Sequence, residues 1–400
     1  MNVGRHGRVP TLVLGAGLNG LGVARSLSAA GVPVYLADTD ISRPEMRTRH
    51  ACKLRLSALY GEPLIRELTS LAETRFSGRR PVLLLTQEQT VRTLAAAQEV
   101  LRPGYRFLLP SSSVIETLMH KQGFNRLAAE TGLRVPRTVH VRGEADVEAA
   151  LLLSRTLIVK PALHALEYER YFRKAYRIES TDEARALLGR ILAVLPDVVV
   201  QEWIPGNDAD IRFCLQHLSR DGHATASFVG RKIRSWPPNV GGTASCTGAP
   251  EAEELSAVTE RFFARVGMRG LAGMEYKRHA VSGEFIAIEP TVGRTDYQEE
   301  VSTLNGVNLP YAYYCSVLDA DFRSCGRAGA PMIWRDRQAD RQSSVHPEQT
   351  VLGWPEGHGA VRDALWRGGD PSPWLATQWR RAMRKGGSIC HRIFPGLQVL

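Results

Sequence analysis

The sequence predicts an α/β chain passing into α+β units: a Rossmann-like N-terminal domain, a two-part central fold and a short C-terminal appendage. Three observations predict it. Up to residue 115, compact apolar runs alternate with stretches of helical spacing, as strands covered by helices on both faces require. A new apolar run, Thr156–Val159, restarts the alternation after the turn at Val135-Pro136. From Ala209 onward the apolar period shortens to two, and Ser282-Gly283 joins two such runs as a hairpin.

The elements follow in order. Val9–Leu14 reads as a buried strand ending in glycine, and Asn19–Ala30 as a helix with Leu21, Ala24, Leu27 and Ala30 on one face. Gly31 closes that helix and Val32–Ala37 is the next strand. Glu62–Phe76 and Val91–Val100 are helices flanking the strand Pro81–Leu85, and Val114–Leu133 is one further helix. In the second module, the helix Asp182–Leu195 and the strand Asp197–Gln201 lead to a turn at Pro205-Gly206. Ala209–Leu215 and Ala224–Val229 alternate as antiparallel strands, Glu253–Val266 is helical, and Leu271–Lys277 pairs with Glu284–Glu289. The expected division is 1–115, 116–203, 204–325 and 326–400. In the last of these, Trp334, Trp354, Trp366, Trp374 and Trp379 are expected to anchor short helices onto the body.

Composition narrows the function. A net charge of +10 and a pI near 9.5 favour anionic partners. The cations are scattered and lack interleaved aromatics, which argues against nucleic acid and for nucleotides or acidic metabolites. Six cysteines contain no CxxC pair, the usage of a reduced cytoplasmic protein, and their spacing offers no zinc cluster. Arg5, His6 and Arg8 before the apolar Val9–Leu21 imitate an export signal, yet Gly15, Gly17 and Gly20 fit a βαβ start better. No run is long and apolar enough for a membrane span.

Gly15-x-Gly17-x-x-Gly20 between a strand and a helix, with Asp38 and Asp40 downstream, matches a dinucleotide fingerprint. The same glycines serve any tight strand–helix turn, or a surface holding an acceptor substrate. All three readings stand at this point.

The central region carries more chemistry. Lys160 ends an apolar strand and Pro161 stiffens the chain after it, so its ammonium is placed as a point charge for a nucleotide phosphate. Gln201-Glu202-Trp203-Ile204 is an extended segment whose main chain can read an adenine edge, with Trp203 and Ile204 as an apolar wall and Asp208 accepting from ribose. Glu275 and Glu289 lie on the two strands of the expected hairpin, so both carboxylates can face one cleft and hold Mg²⁺ through nucleotide phosphates. Thr291 can add a hydroxyl, and Arg294 can clamp a phosphoryl group or a carboxylate. Arg231 or Lys232 can meet the γ-phosphate, beneath a flexible segment Pro237–Thr243.

In this order the residues resemble the ATP-grasp superfamily of carboxylate–amine ligases, over roughly residues 9–325. The resemblance implies two α+β subdomains gripping ATP after a Rossmann-like domain. It implies a phosphate-binding role for Lys160, and it places Lys121 as the earlier lysine of the preceding helix. Gln201–Ile204 would be the hinge on adenine, Asp208 the ribose acid, Arg231 or Lys232 the terminal-phosphate cation, Glu275 and Glu289 the metal bridge, and Arg294 the support for an acyl-phosphate. Two departures stand out. Thr291 replaces a frequent asparagine, and Ala162–Lys174 lacks the usual glycines but carries Lys174 as the cation of a phosphate-covering loop. The stretch from Glu289 through Tyr297-Gln298-Glu299-Glu300 looks closest to the group related to D-aspartate ligase.

The implied reaction joins a carboxylate and an amine, at least one substrate being acidic, with ATP and Mg²⁺ (or Mn²⁺) through an acyl-phosphate. The competing functions are an ATP-grasp carboxylase or kinase-like enzyme, a dinucleotide-dependent oxidoreductase, and an inactive nucleotide-binding protein. A homodimer is compatible with the C-terminal tryptophans.

Overall fold

The computed structural model describes residues 8–162, 171–173, 175–195, 197–324 and 329–393, with side chains as far as residue 383. Its first sheet is parallel throughout, in the order β3-β2-β1-β4, from Thr11–Leu14 (β1), Val34–Asp38 (β2), Cys52–Arg55 (β3) and Val82–Leu85 (β4). Helices Gly17–Ala29 (α1), Gly61–Thr74 (α2), Glu88–Ala96 (α3) and Gln98–Leu101 (α4) connect or flank these strands. Strand β1 is buried at every position, which explains its unbroken apolar run. Strand β3 escaped detection because it is an exposed edge with alternating basic residues, and Cys52 in it is exposed. The helix expected over Val91–Val100 is two helices, separated at Ala97.

Similarly, the single helix expected over Val114–Leu133 is broken. Ser112–Met119 (α5) and Lys121–Thr131 (α6) meet at His120, whose backbone is extended and whose Nδ1 accepts from the Gln122 amide at 3.3 Å. The break places Lys121 at the first turn of α6. Beyond it, Thr138–Val141 (β5), Leu157–Pro161 (β6), Tyr176–Ile178 (β7) and Val198–Glu202 (β8) form an antiparallel sheet in the order β5-β8-β6-β7. Glu144–Leu151 (α7) and Thr181–Leu192 (α8) pack on it around Val141, Val159, Leu188 and Val200.

The third sheet has seven strands in the order β13-β12-β9-β10-β11-β14-β15. They are Ile211–Leu218 (β9), Ala224–Trp236 (β10), Gly242–Gly248 (β11), Gly270–Arg278 (β12), Phe285–Val292 (β13), Ile333–Arg335 (β14) and Val361–Asp363 (β15). Helices Ala252–Arg265 (α9), Glu300–Leu304 (α10), Leu309–Val317 (α11), Arg337–Ser344 (α12) and Ser372–Ile393 (α13) complete the described elements. Because β14 pairs with β11, the sheet runs across the division expected at residue 326. Trp334 is buried in that extension and donates its indole N–H to Glu300 at 3.2 Å, whereas Trp379 stands exposed, against the expectation that all five tryptophans anchor. The segment Pro237–Thr243 is a tight turn between β10 and β11: the Gly241 amide bonds to Pro237 at 2.9 Å, and a Cβ there would lie 2.0 Å from the Trp236 carbonyl carbon. Cys214, Cys246 and Cys315 are buried and free, while residue 325 and the side chain of Cys390 lie outside the described residues.

Candidate active site

A cleft of about 710 Å³ opens where the small sheet, the large sheet and the N-terminal domain meet. Strand β6 carries Lys160 into it, held by the pairing of Lys160 with Val199 on β8. Lys121 enters from the start of α6, whose amide reaches the Ala162 carbonyl at 3.4 Å, so the two lysines share one corner.

The end of β8 forms one wall. Gln201 is buried and donates to the Thr138 hydroxyl at 2.9 Å, and Ile204 adds an apolar surface. Glu202 also lines the cleft, but its carboxylate accepts from the Arg137 amide at 2.9 Å and from Arg137 Nε at 2.7 Å, so its acid is committed. The Trp203 ring is not a purely apolar wall: Lys277 Nζ sits 3.7 Å from its centroid and the Arg177 guanidinium carbon 4.9 Å away.

The opposite wall is the β12–β13 hairpin. Glu275 and Glu289 are direct cross-strand partners, and Thr291 is opposite Gly273. All three residues line the cleft. Like charges directly opposite each other repel. Lys232 Nζ, 2.7 Å from Glu275, offsets part of that repulsion. Burial pulls the Lys232 ammonium down, but Glu275 outweighs it and the net shift is upward, so the lysine stays charged. Two adjacent carboxylates lining one cleft fit a divalent cation between them and a polyphosphate. Among the described residues no group of three or more His, Cys, Asp or Glu side chains could hold a metal alone. A hard cation here would therefore need phosphate oxygens as ligands.

Strand periodicity decides between the two neighbouring cations on β10. Lys232 points into the cleft, whereas Arg231 turns to the other face beside Arg212 and Glu251 and does not line it. Arg231 is thus removed from the γ-phosphate set. Asp208 is removed as well. It is 1% exposed, Oδ2 accepts from the Ser235 amide at 2.8 Å and from Gln349 Nε2 at 3.0 Å, and Oδ1 accepts from the Asn239 amide at 2.9 Å. That carboxylate clamps the β10–β11 turn rather than facing a ribose. Lys174 lies outside the described residues.

At the far end, Arg294 follows the hairpin. Its Nη1 donates to the Thr295 carbonyl at 3.1 Å and lies 3.8 Å from Asp296, while its buried Nε has no hydrogen-bond partner among the described residues. Asp296 and Gln298 line the same end, as do Thr86, Gln87 and Glu88 from the N-terminal domain. Asn19 joins the two: its side-chain nitrogen donates to the Thr86 and Thr295 carbonyls at 3.1 and 2.9 Å, and Thr295 returns a bond at 2.7 Å.

Two residues escaped sequence reasoning. Lys277 was legible as the second residue after Glu275 on the same strand face. Asp296 left no periodic signal, because it follows the strand in a turn.

Close packing accounts for two of the three glycines in the N-terminal turn. A Cβ on Gly20 would lie 2.2 Å from the Gly15 carbonyl oxygen, and one on Gly15 would lie 2.4 Å from the Thr86 hydroxyl. Asp38 Oδ2 accepts the Ala16 amide at 2.9 Å and Oδ1 accepts the Asp40 amide at 3.1 Å. The acid that a dinucleotide ribose would need is therefore spent on the turn itself.

Similar solved structures agree with this architecture. The biotin carboxylase domain of Hydrogenobacter thermophilus 2-oxoglutarate carboxylase, solved with MgADP and bicarbonate, superposes with a TM-score of 0.63 at 13% identity, over 82% of this chain and 74% of that one. N5-carboxyaminoimidazole synthetase from Staphylococcus aureus gives a TM-score of 0.61 at 12% identity, over 85% and 87%. Biotin carboxylase from Campylobacter jejuni gives 0.63 at 11%, over 82% and 75%. The fold is ATP-grasp. No protein-family model and no curated protein matches the sequence.

Proposed function

We propose that this ATP-grasp chain is an ATP-dependent ligase that activates a carboxylate as an acyl-phosphate and transfers the acyl group to an amine. The observation that carries the reading is a single cleft in which Lys121, Lys160, Lys232 and Arg294 share the walls with Glu275 and Glu289. Lys121 and Lys160 would hold the inner phosphates, and Lys232 and Arg294 would offset charge as the γ-phosphoryl group moves. Gln201, Trp203 and Ile204 would take the base, with Glu202 fixing the segment through Arg137. Glu275, Glu289 and Thr291 would hold Mg²⁺, or Mn²⁺ in its place, which supplies charge neutralisation on the phosphate oxygens.

The substrate carboxylate oxygen attacks the γ-phosphorus and ADP departs. The amine then attacks the acyl carbon, phosphate leaves, and the nitrogen loses a proton. Arg294 at the cleft's end, whose Nε has no hydrogen-bond partner among the described residues, supports an acidic substrate such as an amino acid or peptide-like precursor. The stretch from Glu289 through Tyr297-Gln298-Glu299-Glu300, part of which lines the cleft, supports the narrower likeness to the group related to D-aspartate ligase. The enzyme is proposed to work in the cytoplasm, with a homodimer as its candidate assembly.

A second reading, carboxylation with bicarbonate, is favoured by the neighbours whose structures are those of carboxylases. One experiment separates the two: the purified chain is incubated with Mg-ATP and either pooled amino acids and carboxylates or bicarbonate, and ADP and the product mass are measured. A condensed amide with ADP supports the ligase. ADP formed only with bicarbonate transfers the site to the second reading, and no ADP under any condition removes both.

A further inference from the structure

After Asp370 the sequence contains no acidic residue, yet Arg380, Arg381, Arg384, Lys385 and Arg392 all fall in that stretch. Most of it is helix α13. One face of α13 is accounted for: Pro373 is buried, Trp374 packs edge-on against Trp366 with ring centroids 5.2 Å apart, and Arg380 reaches Ser42 and Asp40. The other face is not. Leu375, Trp379 and Met383 are 53%, 69% and 60% exposed. At four-residue spacing they fall within an arc of about 80° on the helix. Single exposed apolar side chains are ordinary, but a row of three on one helical face is a patch that asks for a cover.

We propose that α13 docks the protein onto an anionic lipid surface, with Leu375, Trp379 and Met383 entering the headgroup–acyl boundary and the positive charge of this stretch of sequence drawing the helix to the lipid phosphates. A basic helix with an apolar stripe that includes tryptophan has the composition of an interfacial helix. No described helix is long and apolar enough to cross a membrane, so this one would lie along the surface. Charge selects lipid over a second copy of the chain. An antiparallel pairing of two α13 helices would set cations against cations, with no acid on either helix to offset them. An anionic bilayer supplies the opposite charge, and the chain's net charge of +10 adds to the attraction. This surface is built from residues outside the nucleotide cleft, so it stands or falls independently of the ligase reading.

The test is co-sedimentation of the full chain with phosphatidylcholine vesicles, with and without phosphatidylglycerol, at low and high salt. The chain should pellet only with the anionic vesicles and be released by salt. Trp379→Glu should weaken pelleting about tenfold or more, with an unchanged melting temperature showing that the fold is intact. Absence of pelleting, or pelleting indifferent to lipid charge or to Trp379→Glu, overturns the proposal. So does a dimer by light scattering that Trp379→Glu converts to monomer without any vesicle binding, because the cover is then a second copy.

Discussion

Glu275 and Glu289 stand directly opposite each other across the β12–β13 ladder, and Lys232 Nζ lies 2.7 Å from Glu275. Lys232 answers Glu275, and both carboxylates line the cleft. On the proposed metal-holding role, Glu289→Ala should lower substrate-dependent ADP release by about a hundredfold or more. Its melting temperature should stay close to that of the parent, because the change also relieves a like-charge contact. Coupled-assay turnover at wild-type level in this variant would remove Glu289 from the site.

Lys160 is 8% exposed and aimed into the cleft from a paired strand, so its ammonium is held rather than searching. Lys160→Ala should weaken Mg-ATP binding about tenfold or more, the size of a lost hydrogen bond to a charged group. Calorimetric titration gives the affinity directly, and an unchanged Kd would reject the placement.

Asp208 offers a contrast, since its acceptors are spent on Ser235, Asn239 and Gln349. Asp208→Ala should cost about 2–5 kcal/mol in chemical denaturation, because buried donors lose their partner. In the parent chain, replacing ATP by a 2′-deoxy analogue should alter affinity in a way that does not depend on this acid. A stable Asp208→Ala protein with selectively lost ribose discrimination would restore the nucleotide role.

Burial brings the Lys277 ammonium down to about 8, with Asp208 and Asp210 resisting the fall. Below that pH the charged head sits on the Trp203 ring beside the expected base. Mg-ATP affinity should therefore decline as pH rises through about 8, and Lys277→Met should flatten the profile. Binding titrations between pH 7 and pH 9.5 would expose a parent and variant with parallel profiles, which would show that Lys277 does not meet the nucleotide.

The adjacent acids Glu299 and Glu300 divide their roles. Glu300 is paired with Arg367 at 2.9 Å and accepts from Trp334, whereas Glu299 is buried against α1, with one oxygen that has no hydrogen-bond partner among the described residues. Burial, then repulsion from Glu300, pushes the Glu299 carboxyl up from its ordinary value of 4.5 to about 8. The folded chain thus keeps a proton that the unfolded chain gives up. Its contribution to stability is complete below 4.5 and is lost as pH rises through about 8. The slope approaches about 1.4 kcal/mol per pH unit within that window. Glu299→Gln should remove that slope in denaturation curves taken from pH 5 to pH 8, and an unchanged slope would place the titration elsewhere.

The alternation of apolar runs made the three sheets legible, because strand and helix periods are local properties of the chain. What escaped were elements without a local signature. Strand β3 is a basic edge, β14 and β15 are three residues each, and the break at His120 rests on a backbone change that periodicity does not register. In the cleft, Lys160, Glu275 and Glu289 were legible because each follows an apolar run within its strand, where burying a charge would be costly without a purpose.

By itself the sequence determined which chemistries were present and on which strands: cations near β6 and β10, and acids on β12 and β13. Only the tertiary structure decided which of them remain available. Arg231 and Lys232 are neighbours in sequence, but the strand sends them to opposite faces. Asp208 resembles a ribose acid until Gln349 arrives from 141 positions away to engage it. A carboxylate that already accepts its full set of buried donors has little left for a ligand, and those donors come from segments that meet only when the chain is folded.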